Sequence, residues 1–390
     1  MIADSNNTFK DRFSFLMKID LDIVLAILGL FISLFMAIYS AIVLQREVYI
    51  IYGAILGIAC LLWLLLGRKI SIRYNYSFHN RTYVQILAIF FFLTLTISII
   101  LLHLRSELFV RPLSVFILIS TMAGIVALEI IYSPKHQYFL LIIIQTLILG
   151  LITQLSLVML FPDVIGIDPA LHKNLIDGIL FSGHTTPGTD YSTTPLFHIG
   201  TVIGMLIGSV SYSDATLIIV TLPNIILPIL SIFLLGKYLF NERVALMATL
   251  LLTMAPYHIY FGVWAVPNTF ASLTTPLILY ILLILYRGKI SGSPRNIKNY
   301  KINLFGIAII LMITLIMTHP VASLGMALIL FIIWGINSAY WLLNSNEIKY
   351  TVSAGTMLFF IILMASWWTY IGNHLHYLWD QLLAPQFPSC

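Results

Sequence analysis

Residues 139–160 read FLLIIIQTLILGLITQLSLVML and residues 161–200 read FPDVIGIDPALHKNLIDGILFSGHTTPGTDYSTTPLFHIG. The first stretch is apolar and long enough to cross a bilayer, which takes about 20 residues. The second stretch is polar and rich in Asp, His, Gly and Pro. The change near Phe161 is the sharpest in the chain, and it predicts a membrane span followed by a long loop that carries functional residues.

The whole chain is unusually apolar. Its 390 residues are 60% hydrophobic and 9% charged, whereas soluble domains carry roughly 25% charged residues. Mean hydropathy is +1.00. A single aqueous core could not bury this much apolar surface, so the sequence predicts an all-α integral membrane protein. The two cysteines, Cys60 and Cys390, indicate no disulfide framework.

Apolar runs predict about eleven transmembrane helices. A shorter, glycine-rich apolar piece at 196–210 is expected to lie at the membrane interface without crossing. The polar, mixed-charge start of the chain predicts that the first span is retained and is not a signal peptide. The predicted spans are 22–44, 48–66, 84–102, 112–132, 138–161, 217–236, 244–262, 269–286, 302–318, 321–343 and 350–372.

The positions of Lys and Arg orient these spans, because cytoplasmic loops are enriched in both residues. If 196–210 does not cross, 16 of the 20 basic residues lie on the side of the N-terminus. If it did cross, the basic loop 287–301 would change sides and the bias would largely vanish. The sequence therefore predicts a multi-pass cell-membrane protein with a cytoplasmic N-terminus and an external loop at 162–216. The net charge of +5 is then a signal of topology, and no nucleic acid binding is expected.

The predicted external loop opens with a pair of chemically useful residues. Asp168 followed by Pro169 fits a helix start, with the acid at the cap and proline at the first helical position. His172 would then lie on the same helix face as Asp168. This pair could hold a metal ion or relay a proton, or it could be only a cap and a surface histidine. An apolar stripe on the same helix is expected to lie on the membrane: Ile176, Ile179 and Leu180.

Further polar and aromatic residues are predicted on the same side of the membrane. His184 and Asp190 lie in a turn-rich segment, and His319 occupies a tight turn between two spans. Trp264 is interpreted as an interfacial anchor, and Trp367 with Trp368 as part of an aromatic belt.

Ionisable residues are nearly absent from the predicted spans. Glu129, in the fourth span, is the main exception. Ion-coupled transporters place acids, histidines or broken helices near the bilayer midplane, and the sequence offers no matching pair of broken segments. Transport is therefore not the leading interpretation.

From about Tyr138 onward the chain resembles the GT-C superfamily of membrane glycosyltransferases, which includes oligosaccharyltransferases, protein O-mannosyltransferases and prokaryotic relatives. A span, a long external loop opening with an acid and six further spans match the seven-helix core of that superfamily. The resemblance divides the chain into an N-terminal four-helix module (1–137), a GT-C-like core (138–372) and an external tail (373–390). The matching motifs are Asp168-Pro169-x-x-His172, SGHTTPGTDYSTTPLFH (182–198), MAPYHIYFGVWAVPNTFASLTTPLILYILL (254–283) and THPVASL (318–324).

The resemblance implies transfer of a sugar from a polyprenyl-phosphate carrier to a hydroxyl of a glycan, lipid or protein, with inversion at the anomeric carbon. It implies a loop aspartate as general base, first Asp168 and second Asp163. No cofactor is certain, and a divalent metal ion, if one is bound, would be held by Asp168 and His172. Residues expected to bind substrate are His172, Lys173, His184, Asp190, His198 and His319.

The sequence departs from the superfamily in several places. Protein O-mannosyltransferases have Glu directly after the loop Asp, where this chain has Pro169, and the turn 263–268 lacks the metal-binding acids of oligosaccharyltransferases. The run 367–370 lacks the acid of their Trp-Trp-Asp motif. It stays open whether the chain is a fragment of a longer protein or a relative without activity. Two alternatives remain: a non-catalytic GT-C-like membrane partner, and a transporter or flippase of lipid-linked sugar.

Overall fold

The structure is a computed structural model that describes residues 21–44, 47–66, 80–133, 137–185, 187–188, 190–287, 294–343 and 352–374. Throughout these ranges the regular secondary structure is helical and contains no strand, which confirms the predicted all-α class. The predicted cytoplasmic N-terminus and nearly all of the tail at 373–390 lie outside the described residues.

The chain divides into two compact units, Met1–Ser77 and Phe78–Cys390. In the first unit, helix α1 (Leu21–Tyr39) continues as a π-helix, Ser40–Leu44, and packs against α2 (Glu47–Leu66). Small residues allow this close packing, as is usual between helices in membranes.

The second unit contains the predicted loop and the helices around it. Its first helices are Arg81–His103 (α3), Leu113–Tyr132 (α4), Phe139–Val158 (α5), Ile167–Ser182 (α6), Leu196–Gly208 (α7) and Tyr212–Thr216 (α8). A π-helical stretch, Leu217–Thr221, joins α8 to α9 (Leu222–Leu239). The remaining helices are Glu242–Met254 (α10), Pro256–Val263 (α11), Pro267–Ser272 (α12), Thr274–Arg287 (α13), Pro294–Ile316 (α14), Pro320–Leu343 (α15) and Ala354–Tyr370 (α16).

The helices are those of a multi-pass membrane protein. Among the described residues, seven helices are long and apolar enough to cross a membrane, and α10 with α11, bent by 58°, makes an eighth if the pair is one span. Each of the eleven predicted spans is helical over most of its length, although 244–262 is divided between α10 and α11 and 269–286 between α12 and α13. Three of the spans are represented by apolar stretches of fewer than 18 residues, Ala26–Ile42, Gly53–Leu65 and Ala354–Tyr370, so the total of eleven stays a prediction.

Helix α7 is the apolar piece that was expected not to cross. Its 13 residues extend over about 20 Å at 1.5 Å per residue, whereas a bilayer core is about 30 Å thick. It is therefore too short to span a bilayer on its own.

Two large apolar cores hold the second unit together. The first joins α3, α4 and α5 to α9 and α10 around Phe91, Met122 and Leu149. The second joins α13, α14, α15 and α16 around Leu282 and Phe360. Because α3 and α4 share a core with α5, the two sides of the predicted boundary at residue 137 are packed together, and the functional division there stays a prediction.

The connection between α5 and α8 lies at one end of this unit, here called the loop end. Phe161 stacks on Phe109 in the α3–α4 turn, with ring centroids 5.5 Å apart. The amide of Leu196 donates to the carbonyl of Met317, at 3.3 Å, in the α14–α15 turn. These contacts place both turns at the loop end.

A third, smaller core lies under the loop and corrects one sequence prediction. The stripe of Ile176, Ile179 and Leu180 was expected to lie on the membrane, but Ile176 is fully buried and the other two pack around it with Phe197 and Tyr212. The reason is that α7 and α8 cover this face of α6. The apolar residues that α6 leaves exposed are Ile167, Leu171 and Phe181.

Candidate functional site

The site is built on the first turns of α6, which begins earlier than predicted. Gly166 is the cap, and Asp168 is the second helical residue, so the expectation that Asp168 caps the helix is wrong. Gly166 has a φ of 102°, and a Cβ there would lie 2.7 Å from Nε1 of Trp264. The chain therefore turns against the Trp264 indole, at a position that only glycine fits, before Asp168 is reached.

Asp168, His172 and His198 form a row from the surface into the interior. The predicted shared face of Asp168 and His172 is confirmed, because Oδ1 and Nε2 lie 3.6 Å apart. Nδ1 of His172 then lies 3.0 Å from Nε2 of His198 at the start of α7. The Asp168 side chain is 49% exposed, whereas His172 is 2% exposed and His198 1%. A reactant can reach the carboxylate but not the two imidazoles.

Aromatic rings enclose the two histidines. The Tyr191 ring lies 4.7 Å from His172 and 5.2 Å from His198, centroid to centroid. Phe197 meets both imidazoles edge-on. Sequence reasoning assigned no role to Tyr191 or Phe197 individually, although both stand within the 182–198 motif.

Burial keeps this histidine pair neutral. Desolvation lowers the pKa of His172, against an opposing effect of the Asp168 charge. Desolvation, with a smaller effect of His172, lowers the pKa of His198 to about 3. Between two neutral imidazoles one nitrogen donates and the other accepts. If Nε2 of His172 carried no proton, its lone pair would face the negative Asp168 carboxylate, which is electrostatically unfavourable. In the favoured arrangement Nε2–H of His198 donates to Nδ1 of His172, and Nε2–H of His172 is directed at Asp168.

His319 approaches the row from the α14–α15 turn. Its Nδ1 accepts the amide N–H of Ala322, at 3.3 Å, so Nε2 is the ring's remaining donor. Desolvation lowers the pKa of His319 to about 4, helped by the neighbouring His172 and His374 rings and opposed by the Asp168 carboxylate. The structure therefore brings together Asp168, His172, His198 and His319, four of the residues that sequence reasoning assigned to the site.

Asp163 and Lys173 pair with each other on the surface. Nζ of Lys173 lies 3.1 Å from Oδ2 of Asp163, and Oδ1 accepts the amide of Val164, at 2.8 Å. The Val164 hydrogen bond, together with Lys173, lowers the pKa of Asp163. An acid held in its charged form in this way is a weaker base, which makes Asp163 less suited than Asp168 to remove a proton.

His184 is not placed with these residues, and only the backbone of Asp190 is described. His184 follows the end of α6, where its Nδ1 lies 3.0 Å from the carbonyl of Thr185. Ser182, the last residue of α6, is already 14 residues beyond Asp168, about 21 Å along the helix. Asp190 begins a short 3₁₀ turn, Asp190–Ser192, and its side chain lies outside the described residues. A role in substrate binding stays a prediction for both residues.

The residues present offer little for a metal ion. No group of three or more His, Cys, Asp or Glu side chains is arranged to hold one in the part of the chain that the structure describes. Asp168 and His172 would supply two ligands, whereas protein zinc sites use three or four. Their nitrogen and oxygen atoms are better placed to orient each other than to share an ion.

Contacts from distant helices fix the loop, and sequence reasoning missed them. Nε1 of Trp367 donates to the carbonyl of Thr193, at 3.0 Å, and the hydroxyl of Tyr212 donates to the carbonyl of Pro169, at 2.9 Å. Trp368 is 5% exposed. The buried Trp368 therefore faces the protein and not lipid, whereas the aromatic-belt interpretation of the half-buried Trp367 stays a prediction.

No protein-family model matches this sequence, and neither a curated protein nor a solved structure matches it.

Proposed function

We propose that the protein is a GT-C-like membrane glycosyltransferase that acts at the outer face of the cell membrane, with its N-terminus in the cytoplasm. Its donor is a sugar linked to polyprenyl phosphate, and its acceptor is a hydroxyl group. Asp168 removes the hydroxyl proton while the acceptor oxygen bonds to the anomeric carbon. The bond from that carbon to the carrier phosphate breaks, and the phosphate leaves with the electron pair.

The observation that carries this proposal is the row of Asp168, His172 and His198. A general base must be reachable by its substrate and held in a fixed orientation. The Asp168 carboxylate is half-exposed. The two buried imidazoles behind it are neutral, so they carry no positive charge that would neutralise the carboxylate. A movement of about 0.5 Å would bring Nε2–H of His172 into hydrogen-bond distance of the carboxylate.

His319 supports the same assignment. Its Nδ1 accepts a backbone amide, which leaves Nε2–H as a neutral donor close to the row. A neutral donor can hydrogen-bond to a phosphate oxygen, in the manner of donors that stabilise developing negative charge. This geometry suits a role in contacting the leaving carrier phosphate.

Apolar side chains flank the site on two helices, as a lipid-linked donor would require. Helix α6 exposes Ile167 and Leu171, and α7 exposes Leu206 and Ile207. Exposed apolar residues on a helix too short to cross a membrane are typical of segments that lie in the interface. The carrier's hydrocarbon tail would lie along these side chains.

The experiment is transfer of radiolabelled hexose from polyprenyl phosphate by the protein in vesicles. Asp168→Asn keeps the shape but removes the base, and we expect transfer to fall by about 10²- to 10⁴-fold. Asp177→Asn is the matched control, because Asp177 is an exposed acid on the same helix. A wild-type protein that binds the carrier without transfer would contradict the proposal and favour a non-catalytic partner. Undiminished transfer by Asp168→Asn would move the base elsewhere, with Asp163 tested next.

A transporter or flippase of lipid-linked sugar is the second candidate, and one observation favours it. Glu129 is fully buried within α4, where Nε2 of Gln145 donates to its Oε1, at 3.1 Å. Oε2 of Glu129 and Oε1 of Gln145 are buried without hydrogen-bond partners among the described residues. Buried ionisable residues inside membranes mark ion and substrate pathways in many transporters.

The two candidates predict opposite effects of two substitutions. A transporter should lose movement of the lipid-linked sugar in Glu129→Gln and tolerate Asp168→Asn. A glycosyltransferase should lose transfer in Asp168→Asn and tolerate Glu129→Gln. Both variants can be assayed in the same vesicles, with transfer and transbilayer movement measured in parallel.

A further inference from the structure

An apolar groove runs between α3 and α5 up to the loop end, away from the Asp168 row. Its volume is about 480 Å³, within the range of about 300–1,000 Å³ typical of ligand pockets. Ile99 and Met159 on its border are 51% and 72% exposed, so the groove opens at the surface. Its walls include Leu95, Ile99, Leu102, Ile148, Leu151 and Leu155.

Two arginines stand at the loop end of this groove. Arg105 lines it directly and donates through Nη1 to the carbonyl of Leu102, at 2.9 Å. Arg111 donates through Nη1 to the carbonyl of Thr153, at 2.8 Å, and to Oγ of Ser156, at 3.0 Å. Ser156 itself lines the groove, so the Arg111 guanidinium contacts a residue of its wall.

Neither arginine is paired with a carboxylate among the described residues, although the Arg111 guanidinium also lies over the Phe116 ring, 3.9 Å from its centroid. Within the described part of the chain, no carboxylate lies within ion-pair distance of Arg105 or Arg111, and Nε of each is buried without a hydrogen-bond partner. Burial lowers the pKa of Arg111 by desolvation. Partly buried, uncompensated guanidinium groups are costly, and a phosphate matches their planar arrangement of donors.

We propose that this groove binds an anionic phospholipid of the surrounding bilayer, with its phosphate at Arg105 and Arg111 and one hydrocarbon chain between α3 and α5. The apolar walls exclude a free inorganic anion as the natural occupant, because most of the groove would stay uncovered. The arginines disfavour an apolar helix of a second copy, which would leave their charges unpaired. Its walls belong to α3 and α5, which are both long and apolar enough to cross a membrane, so we expect bilayer lipid to reach the groove. This inference does not depend on the proposed glycosyl transfer.

Native mass spectrometry of the detergent-solubilised full chain tests the proposal, with phosphatidylglycerol, phosphatidylcholine and polyprenyl phosphate added in turn. We expect one tightly retained phosphatidylglycerol and weaker retention of phosphatidylcholine, which has no net charge. Arg105→Gln should weaken phosphatidylglycerol binding by about tenfold or more, the effect of losing hydrogen bonds to a charged group. Leu151→Trp, which fills the groove without changing charge, should weaken it as well.

The binding measurements need a charge control and a variant that still folds. The double variant Lys298→Gln/Lys301→Gln is the charge control. It removes two exposed positive charges at the start of α14, the end of that helix opposite to the loop end, and should leave phosphatidylglycerol binding unchanged. Arg105→Gln spares the contacts of Arg111 with α5, so we expect this variant to fold. Equal binding by the folded Arg105→Gln protein, or preferential retention of polyprenyl phosphate, would overturn the proposal. So would a dimer that Leu151→Trp dissociates, since a second copy would then occupy the groove.

Discussion

Nδ1 of His172 and Nε2 of His198 lie 3.0 Å apart in the interior of the protein, although the two residues belong to different helices and are 26 positions apart. Each ring is nearly inaccessible, and Tyr191 and Phe197 close around both. A buried imidazole nitrogen needs a partner, and here each histidine supplies the other's. The pair thus joins α6 to α7 beneath Asp168.

The mutual dependence of these histidines predicts non-additive effects on stability. His198→Phe keeps an aromatic ring but leaves Nδ1 of His172 unpaired, which should lower the free energy of unfolding by about 1–3 kcal/mol. His172→Phe should do the same to His198. The double variant should be less destabilised than the sum of the single variants, by about 0.5–3 kcal/mol. Unfolding of the four proteins in one detergent measures the cycle, and additive effects would show that the two rings do not interact.

Stability should also depend on pH through these rings. Their folded-state pKa values are depressed, to about 3 for His198, whereas an unfolded histidine has a pKa near 6.5. Below about pH 6.5 the unfolded chain binds more protons than the folded one, so stability present above that pH is lost as the pH falls. The loss is up to about 1.4 kcal/mol per pH unit for each histidine.

Thermal unfolding between pH 7 and pH 4 checks this expectation. The His172→Phe/His198→Phe protein should lose stability less steeply as the pH falls. The exposed His184 provides the control, since His184→Gln should follow the wild type. His319 has a pKa lowered to about 4 and contributes in the same direction, so some pH dependence should survive in the double variant. An unchanged slope there would exclude the pair as the cause.

Gly166 and Gly183 allow a comparison of substitutions at the two ends of α6. Both have positive φ, 102° and 75°. Alanine at Gly183 (ψ 6°) should cost about 1–2 kcal/mol, whereas Gly166 (ψ 164°) lies in a region that is essentially restricted to glycine. Only at Gly166 would the new Cβ also meet Nε1 of Trp264, at 2.7 Å, while nothing lies within 4 Å of Gly183. Overpacking should therefore make Gly166→Ala less stable than Gly183→Ala by about 1–3 kcal/mol.

The same substitution should affect function, because Gly166 sets the position of Asp168 two residues later. We expect Gly166→Ala to reduce transfer more than Gly183→Ala at equal amounts of folded protein. Trp264→Phe, which removes the indole nitrogen, should restore part of the stability of Gly166→Ala. Equal stability of the two alanine variants would contradict the assigned contact with Trp264.

Local pattern accounts for what the sequence predicted correctly. Each apolar run is helical over most of its length, and the four-residue spacing of Asp168 and His172 places both on one face, since both features depend on helical periodicity alone. The start of α6 was mispredicted because the turn at Gly166 lies against Trp264, a residue almost a hundred positions later in the sequence. The stripe at Ile176 was assigned to the membrane because periodicity marks an apolar face without indicating whether lipid or protein covers it.

The contact between Trp367 and Thr193 joins residues 174 positions apart, and it predicts an asymmetry between neighbouring tryptophans. Trp367→Phe removes the donor to the Thr193 carbonyl. Trp368→Phe is the matched control, because Nε1 of Trp368 is buried without a hydrogen-bond partner among the described residues. A hydrogen bond contributes about 0.5–1.5 kcal/mol, so amide exchange across 190–196 should be about twofold to tenfold faster in Trp367→Phe. The segment holds Tyr191 against the histidine pair, so transfer should fall with it. Faster exchange in Trp368→Phe than in Trp367→Phe would mean that packing, and not this hydrogen bond, holds the loop in place.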